Sequence, residues 1–375
     1  MRSDSSSAFH PRPLCRAVLS ATLVLAGVAA GPVAAQTFSR TEVTTYHDNT
    51  AAWVLGQVAS VACVASVPAS SSCNGDVVEA TTFDSTYALP VTRSTFGLLV
   101  STYAYDLTSA PGTGQRGTLK QVVDGAGNAS TFTSWRRGVP QQMGHADGSS
   151  VSAVVNAQTG LIGEVTDELG NTSTYAYDAM DRLARVTHPA ESTMTWNDTH
   201  RAFERVGVDE YGLAAGHWRD TTTTGSGTTI TYYDALWRPV LERRYDAADQ
   251  AGTQSFVRKT FDSAGRATFV AYPSSASNAT AGVWTTYDAL GRVTSVGQDT
   301  ELSPSLQVAT TTYLPGFLTR VTNPRGYSTT TAFQTFDQPD TGAPVRIDAP
   351  EGVTTVIQRD PMGKALTITR SGPSN

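Results

Sequence analysis

Leu161-Ile-Gly-Glu-Val-Thr-Asp-Glu-Leu-Gly-Asn-Thr-Ser-Thr-Tyr-Ala-Tyr-Asp-Ala-Met-Asp-Arg-Leu-Ala-Arg-Val-Thr-His-Pro189 is one unit of a repeat. Its Thr-Ser-Thr-Tyr-Ala-Tyr run alternates β-branched and aromatic side chains with period two, as a half-buried strand does. The Asp-Ala-Met-Asp that follows is turn chemistry, because an Asp side chain accepts from main-chain N–H groups two residues on. Leu-Ala-Arg-Val-Thr resumes the alternation as a return strand. Each unit is therefore a β-hairpin.

Echoes of this unit fill the rest of the chain. Tyr287-Asp-Ala-Leu-Gly-Arg-Val-Thr-Ser-Val296 is the clearest, joined by Tyr233-Asp-Ala-Leu-Trp-Arg238 and Phe261-Asp-Ser-Ala-Gly-Arg266. Weaker copies begin at Phe336-Asp337 and Arg359-Asp360, and a half-unit Val-x-Asp-x-x-Gly-Asn occurs at 122–128 and again at 165–171. Asp178, Asp234, Asp262 and Asp288, with Gly265 and Gly291, are the repeated turn positions. The spacing is that of an array in which each hairpin pairs with its neighbours. The expected fold is all-β: tandem hairpins in an extended, spiralling sheet or partial shell.

The Tyr-Asp-x-x-Gly-Arg units resemble the YD repeats of the RHS family, to which the teneurins and the cocoon subunits of insecticidal toxin complexes are similar. The resemblance spans residues 115 to 370 and implies long strands winding into a hollow shell, in many members around a toxic C-terminal polypeptide. This chain runs out at Ser371-Gly-Pro-Ser-Asn375 directly after a hairpin. A truncated fragment of a longer RHS toxin is therefore one expectation, with further RHS-repeat chain and toxin cargo as its partners.

At the other end, Arg12 and Arg16 precede an apolar run from Ala17 to Ala30, then Gly31-Pro32 and Val-Ala-Ala before Gln36. This pattern reads as a signal peptide cut between Ala35 and Gln36. The run is shorter than the ~20 residues a membrane-spanning helix needs. Residues 51–67, rich in Ala and Val, read as two buried strands split near Gly56. The expected location is secreted, periplasmic or at the bacterial cell surface, with no membrane span after the signal is removed. Cys15 leaves with the signal, and Cys63 with Cys73, ten residues apart, is expected to form a disulfide in an oxidising compartment.

The expected organisation is a signal at 1–35, a β-rich capping segment without the repeat at 36–114, and the repeat region at 115–375. Inserts are expected near 191–227 and 301–315. Removing residues 1–35, with three Arg and one Asp, moves the formal charge from -6 to -8. So acidic a chain argues against nucleic acid as a partner.

Motifs of catalysis are absent: there is no Gly-x-Ser-x-Gly, no phosphate loop, no His-Glu-x-x-His. Asp167-Glu168 and Asp209-Glu210 are paired carboxylates, but each pair stands beside a turn glycine. Repeated Asp turns invite Ca²⁺, yet no loop gathers the three or four carboxylates it needs. No catalytic, cofactor or metal residue is expected. Two functions follow: an exported, non-catalytic RHS scaffold for cell-surface interaction or interbacterial competition, or a carbohydrate- or surface-binding module acting through exposed aromatics. Trp196, Trp218 and Trp237 are the candidate ligand contacts, with Trp237 in the turn slot that glycine fills elsewhere. Trp284, at a strand position, is expected in the core.

Overall fold

The computed structural model describes residues 38–67, 73, 75–110, 112–190, 194, 196–336 and 341–373. The proposed cleavage site at Ala35 and Gln36, and Asp337 of the Phe336-Asp337 copy, lie outside them. Among the described residues twenty-six strands, β1 (Ser39–Asn49) through β26 (Ala365–Ser371), form one sheet. Each strand pairs antiparallel with its neighbours in sequence, so the path is a meander without crossovers. Such a path costs little loop entropy, since each strand meets one already formed beside it.

The repeated turn has a fixed hydrogen-bond pattern. Asp262 Oδ1 accepts from the N–H groups of Ala264 and Arg266, both at 2.9 Å, while its Oδ2 holds the Arg266 guanidinium at 2.6 Å. Asp178, Asp234 and Asp288 repeat this with Arg182, Arg238 and Arg292. The fourth position is left-handed, as at Gly265 (φ 79°) and Gly291 (φ 83°). Asp124 and Asp167 make the same turn with Asn128 and Asn171 in place of arginine.

Arginine also explains why the turns occur in phase. The Arg266 guanidinium lies 4.7 Å above the Tyr287 ring and donates to the Asp288 carbonyl of the next turn at 3.2 Å. Arg238 does the same to Phe261 (5.2 Å) and Asp262 (3.1 Å), and Arg292 sits 4.0 Å above Tyr313. Tyr287 and Tyr313 in turn donate their hydroxyls to the Ala267 and Val293 carbonyls. Each unit is thus clasped to the next along one rim of the sheet.

The sheet curves far enough to meet itself. Arg40 Nη1, near the start of β1, donates to the Pro361 carbonyl at 2.9 Å, and its guanidinium stands 4.9 Å above Phe336. Phe38 packs edge-on to the same ring at 6.5 Å. These contacts join residues about 300 to 320 positions apart.

Several expectations change in the fold. Residues 51–67 are not two buried strands: a turn at 51–53 leads into the single strand β2 (Val54–Val67), which leaves Leu55, Val58 and Val64 exposed. The inserts near 191–227 and 301–315 supply sheet strands, β13 (Thr199–Arg205), β14 (Trp218–Thr224) and β21 (Leu306–Leu314), all in the ladder. Trp284 is 44% exposed. Its ring lies 4.2 Å from that of its cross-strand neighbour Phe269, tilted by 38°, so Trp284 covers buried Phe269 and leaves its own outer surface to solvent.

The stretch before residue 115 belongs to the same sheet and carries aromatic-Asp turns of its own, at Phe83-Asp84 and Tyr105-Asp106. Cys63 and Cys73 form a disulfide with a Cα–Cα distance of 5.6 Å, at the pairing of β2 with β3 (Asp76–Phe83).

Candidate functional site

The sheet gains a second layer where the chain leaves β13 and returns on β14. Residues 206–217 fold over one face. The excursion is pinned by the two-residue turn Tyr211-Gly212, with both φ positive, between mutually bonded Glu210 and Leu213. Leu213 packs on the core formed by Ile230, Tyr232, Leu241 and Phe256, while the Tyr211 ring lies 5.5 Å from Tyr232 and 5.1 Å from Phe256. Arg243 is enclosed among aromatic rings there, 4.5 Å from Tyr245 and 5.5 Å from Phe256.

Burial is nearly complete at Tyr232, and loss of water, with Glu210 adding negative charge, pushes its hydroxyl up to about 12. Glu210 reaches Arg219 Nη1 at 2.9 Å and buried His217 Nε2 at 3.4 Å. Tyr211 and His217 therefore brace this inner layer.

On the opposite face the same strands carry a cluster of rings. Trp218 of β14 faces Tyr233 of β15 (Gly227–Tyr233) across the ladder, and Phe203 of β13 is on the same face. Phe203 stacks on Trp218 at 5.2 Å with 13° between planes, and Trp237 closes the cluster 5.5 Å from Trp218 and 5.8 Å from Phe203. Arg182 of the preceding turn lies 5.3 Å above Phe203. Trp237 occupies the left-handed turn slot at φ 62° and is 55% exposed, so one broad indole surface faces solvent. Arg201 and Asp220 form an ion pair beside the cluster.

Of the three candidate contacts, Trp218 and Trp237 come together and Trp196 does not. Trp196 stands at the far end of β13, lining a hollow of about 270 Å³ with His188, Pro189 and Thr224. The intervening strand runs roughly 20 Å. Phe203 and Tyr233 complete the platform; they lie on the neighbouring strands, so it is the strand register, with Tyr233 opposite Trp218 and Phe203 opposite Asp220, that brings them to it, and no spacing within β14 names them.

The turn aspartates are ionised and committed. Asp262 sits below the usual carboxylate value of 3.8 because the Arg266 backbone N–H and guanidinium stabilise its charge. At Asp178 the Arg182 side chain is the chief cause. At Asp234 and Asp288 partial burial pushes upward, and the bonds from Arg238 and Arg292 outweigh it. With both oxygens bonded inside the turn, these carboxylates are structural. Among the described residues no three His, Cys, Asp or Glu side chains gather as a metal site would require.

Fold and turn chemistry together define a hairpin-repeat scaffold with an aromatic platform on one face. Residues 159–193 match the RHS repeat family model, so the chain carries an RHS repeat. No curated protein matches the chain. Among solved structures it aligns with a TcdB2-TccC3 crystal structure at 12% identity and TM-score 0.23, over 88% of this chain and 23% of that one. It aligns likewise with the Photorhabdus luminescens Tc holotoxin pore at 12% identity and TM-score 0.24, over 90% of this chain and 22% of that one. The chain thus spans less than a quarter of either.

Proposed function

We propose that the chain is an exported, non-catalytic RHS scaffold, a section of β-shell wall used at the bacterial cell surface or in interbacterial competition. The observation that carries this reading is the closure of the sheet on itself, with Arg40 on Pro361 and Phe38 on Phe336. A wall one strand thick, clasped turn to turn along its rim, is suited to enclosing space. Further RHS-repeat chain and toxin cargo are the partners such a wall would take. Among the described residues no helix is long and apolar enough to cross a membrane.

Two measurements test it. A flat ribbon of 26 strands would be about 125 Å long at ~4.8 Å per strand. Small-angle scattering should give a largest dimension well below that, and a value at ribbon length would refute the curved wall. Intact mass from the periplasm or medium of the native host should lack residues 1–35, and retention of the full chain in the cytoplasm would refute export.

The exposed Trp237 face, backed by Phe203 and Trp218, supports the second reading, a carbohydrate- or surface-binding module. Loss of glycan binding in Trp237→Ala, with the fold intact, would favour it.

A further inference from the structure

A second site lies elsewhere on the sheet, in the connection between β7 (Ala129–Thr133) and β8 (Gln142–Gly144). Here the loop around Gly112–Gln115 and the turn at 134–137 bound a hollow of about 700 Å³. Its lining is dominated by Thr113, Gln115, Ser134, Trp135, Arg136 and Arg137, so the walls are hydroxyl, amide and guanidinium around one indole.

The indole is held in place rather than free to turn. The Gln115 side chain grips the Trp135 backbone from both sides, donating to its carbonyl at 2.6 Å and accepting from its N–H at 3.0 Å. Trp135 Nε1 donates to the Leu119 carbonyl at 2.9 Å. With its N–H engaged and the Phe132 ring 6.3 Å away, the half-buried Trp135 lines the hollow beside the two arginines.

The arginines differ from those of the repeat turns. Arg182, Arg238, Arg266 and Arg292 each hold a carboxylate. Arg136 and Arg137 donate only to main-chain carbonyls, of Val155 at 3.5 Å and Ala157 at 2.9 Å, and among the described residues no carboxylate pairs with either. Most of their N–H donors are unused. Arg137 is also held in the left-handed region at φ 51°, within the tight turn that Arg136 and Val139 close by mutual hydrogen bonds, and Ser134, two residues before that turn, is left-handed at φ 56°. L-residues do not occupy that region without cost, and such residues concentrate where a side chain must be aimed.

We propose that this hollow binds an acidic sugar of a surface polysaccharide, with the pyranose ring on Trp135 and its carboxylate between Arg136 and Arg137. A guanidinium pair suits a planar carboxylate, and a fixed indole suits a sugar ring. An acidic peptide would gain no main-chain pairing, for want of a free strand edge beside the hollow. Here β7, β8 and β9 (Ser150–Val155) are each paired on both sides.

The test is calorimetric titration of the full chain with trigalacturonate, its fully methyl-esterified form and hexaglutamate, at physiological salt. The acid should bind and the ester should not. Arg136→Gln should weaken binding on the order of tenfold or more, since a charged hydrogen bond is lost. Arg137→Asn, which tolerates the left-handed backbone, should do the same without unfolding the turn. Equal binding of acid and ester, no effect of either substitution, no binding at all, or a preference for hexaglutamate would each overturn the proposal.

Discussion

Replacing Trp237 by glycine would restore the residue that Asp262 and Asp288 turns carry at the same slot, Gly265 and Gly291, and by turn chemistry alone it should stabilise. The structure argues the reverse. Relief of the left-handed backbone is worth about 1 kcal/mol or less, once the greater freedom of glycine in the unfolded chain is counted. Against this, Trp237 is 55% exposed and so covers a little under half its surface. That is roughly 100 Å² and about 2.5 kcal/mol of apolar burial, to which stacking on Trp218 and Phe203 adds about 0.5 kcal/mol or more. Trp237→Gly should therefore destabilise by about 2 kcal/mol. Asp181 is the control, since it occupies the same left-handed slot at φ 61°. Its side chain is exposed. Asp181→Gly should stabilise by about 0.5 kcal/mol. Urea unfolding followed by circular dichroism reads both. A midpoint raised by Trp237→Gly would refute the claim that platform packing outweighs turn strain.

Arg266→Ala should cost about 1–2 kcal/mol through loss of its contacts with Tyr287 and Asp288, and lysine should restore little of it because it cannot hold two turns at once. Hydrogen exchange should quicken at residues 287–292 and not at 234–238. Because Asp178 and Asp262 are held below 3.8, their ionised forms add stability. That contribution is fully present above about pH 4 and fades as pH falls through the lowered values, so melting temperature should drop there, and less steeply in Asp262→Asn. Cys73→Ser should cost about 2–3 kcal/mol and loosen β2 and β3 in hydrogen exchange while leaving the rim at 262–292 unchanged.

Turn chemistry was legible because it is local: Asp262 bonds to residues two and four positions ahead, and the same letters at 178, 234 and 288 give the same geometry. Asn323 makes this turn too, accepting from the N–H groups of Arg325 and Tyr327, but asparagine in place of aspartate hides it from the repeat pattern. Phe83-Asp84 and Tyr105-Asp106 are hidden likewise, because no Gly-Arg follows at the repeat spacing. The candidate site was half legible. Trp218 and Trp237 come together, but Trp196 stands the length of β13 away, which no local spacing reveals.

By itself the sequence determined the all-β class, the hairpin unit and the turn residues, since each is settled by contacts within a few positions. Which face of the sheet is covered was decided only in three dimensions. Tyr232 and Tyr233 are adjacent and chemically alike, yet one is buried beneath residues 206–217 and the other stands with Trp218 on the open face. Alternation places neighbours on opposite sides without saying which side gains a second layer. The curvature that brings Arg40 to Pro361 likewise accumulates over many strands, each adding a small twist that no single repeat encodes.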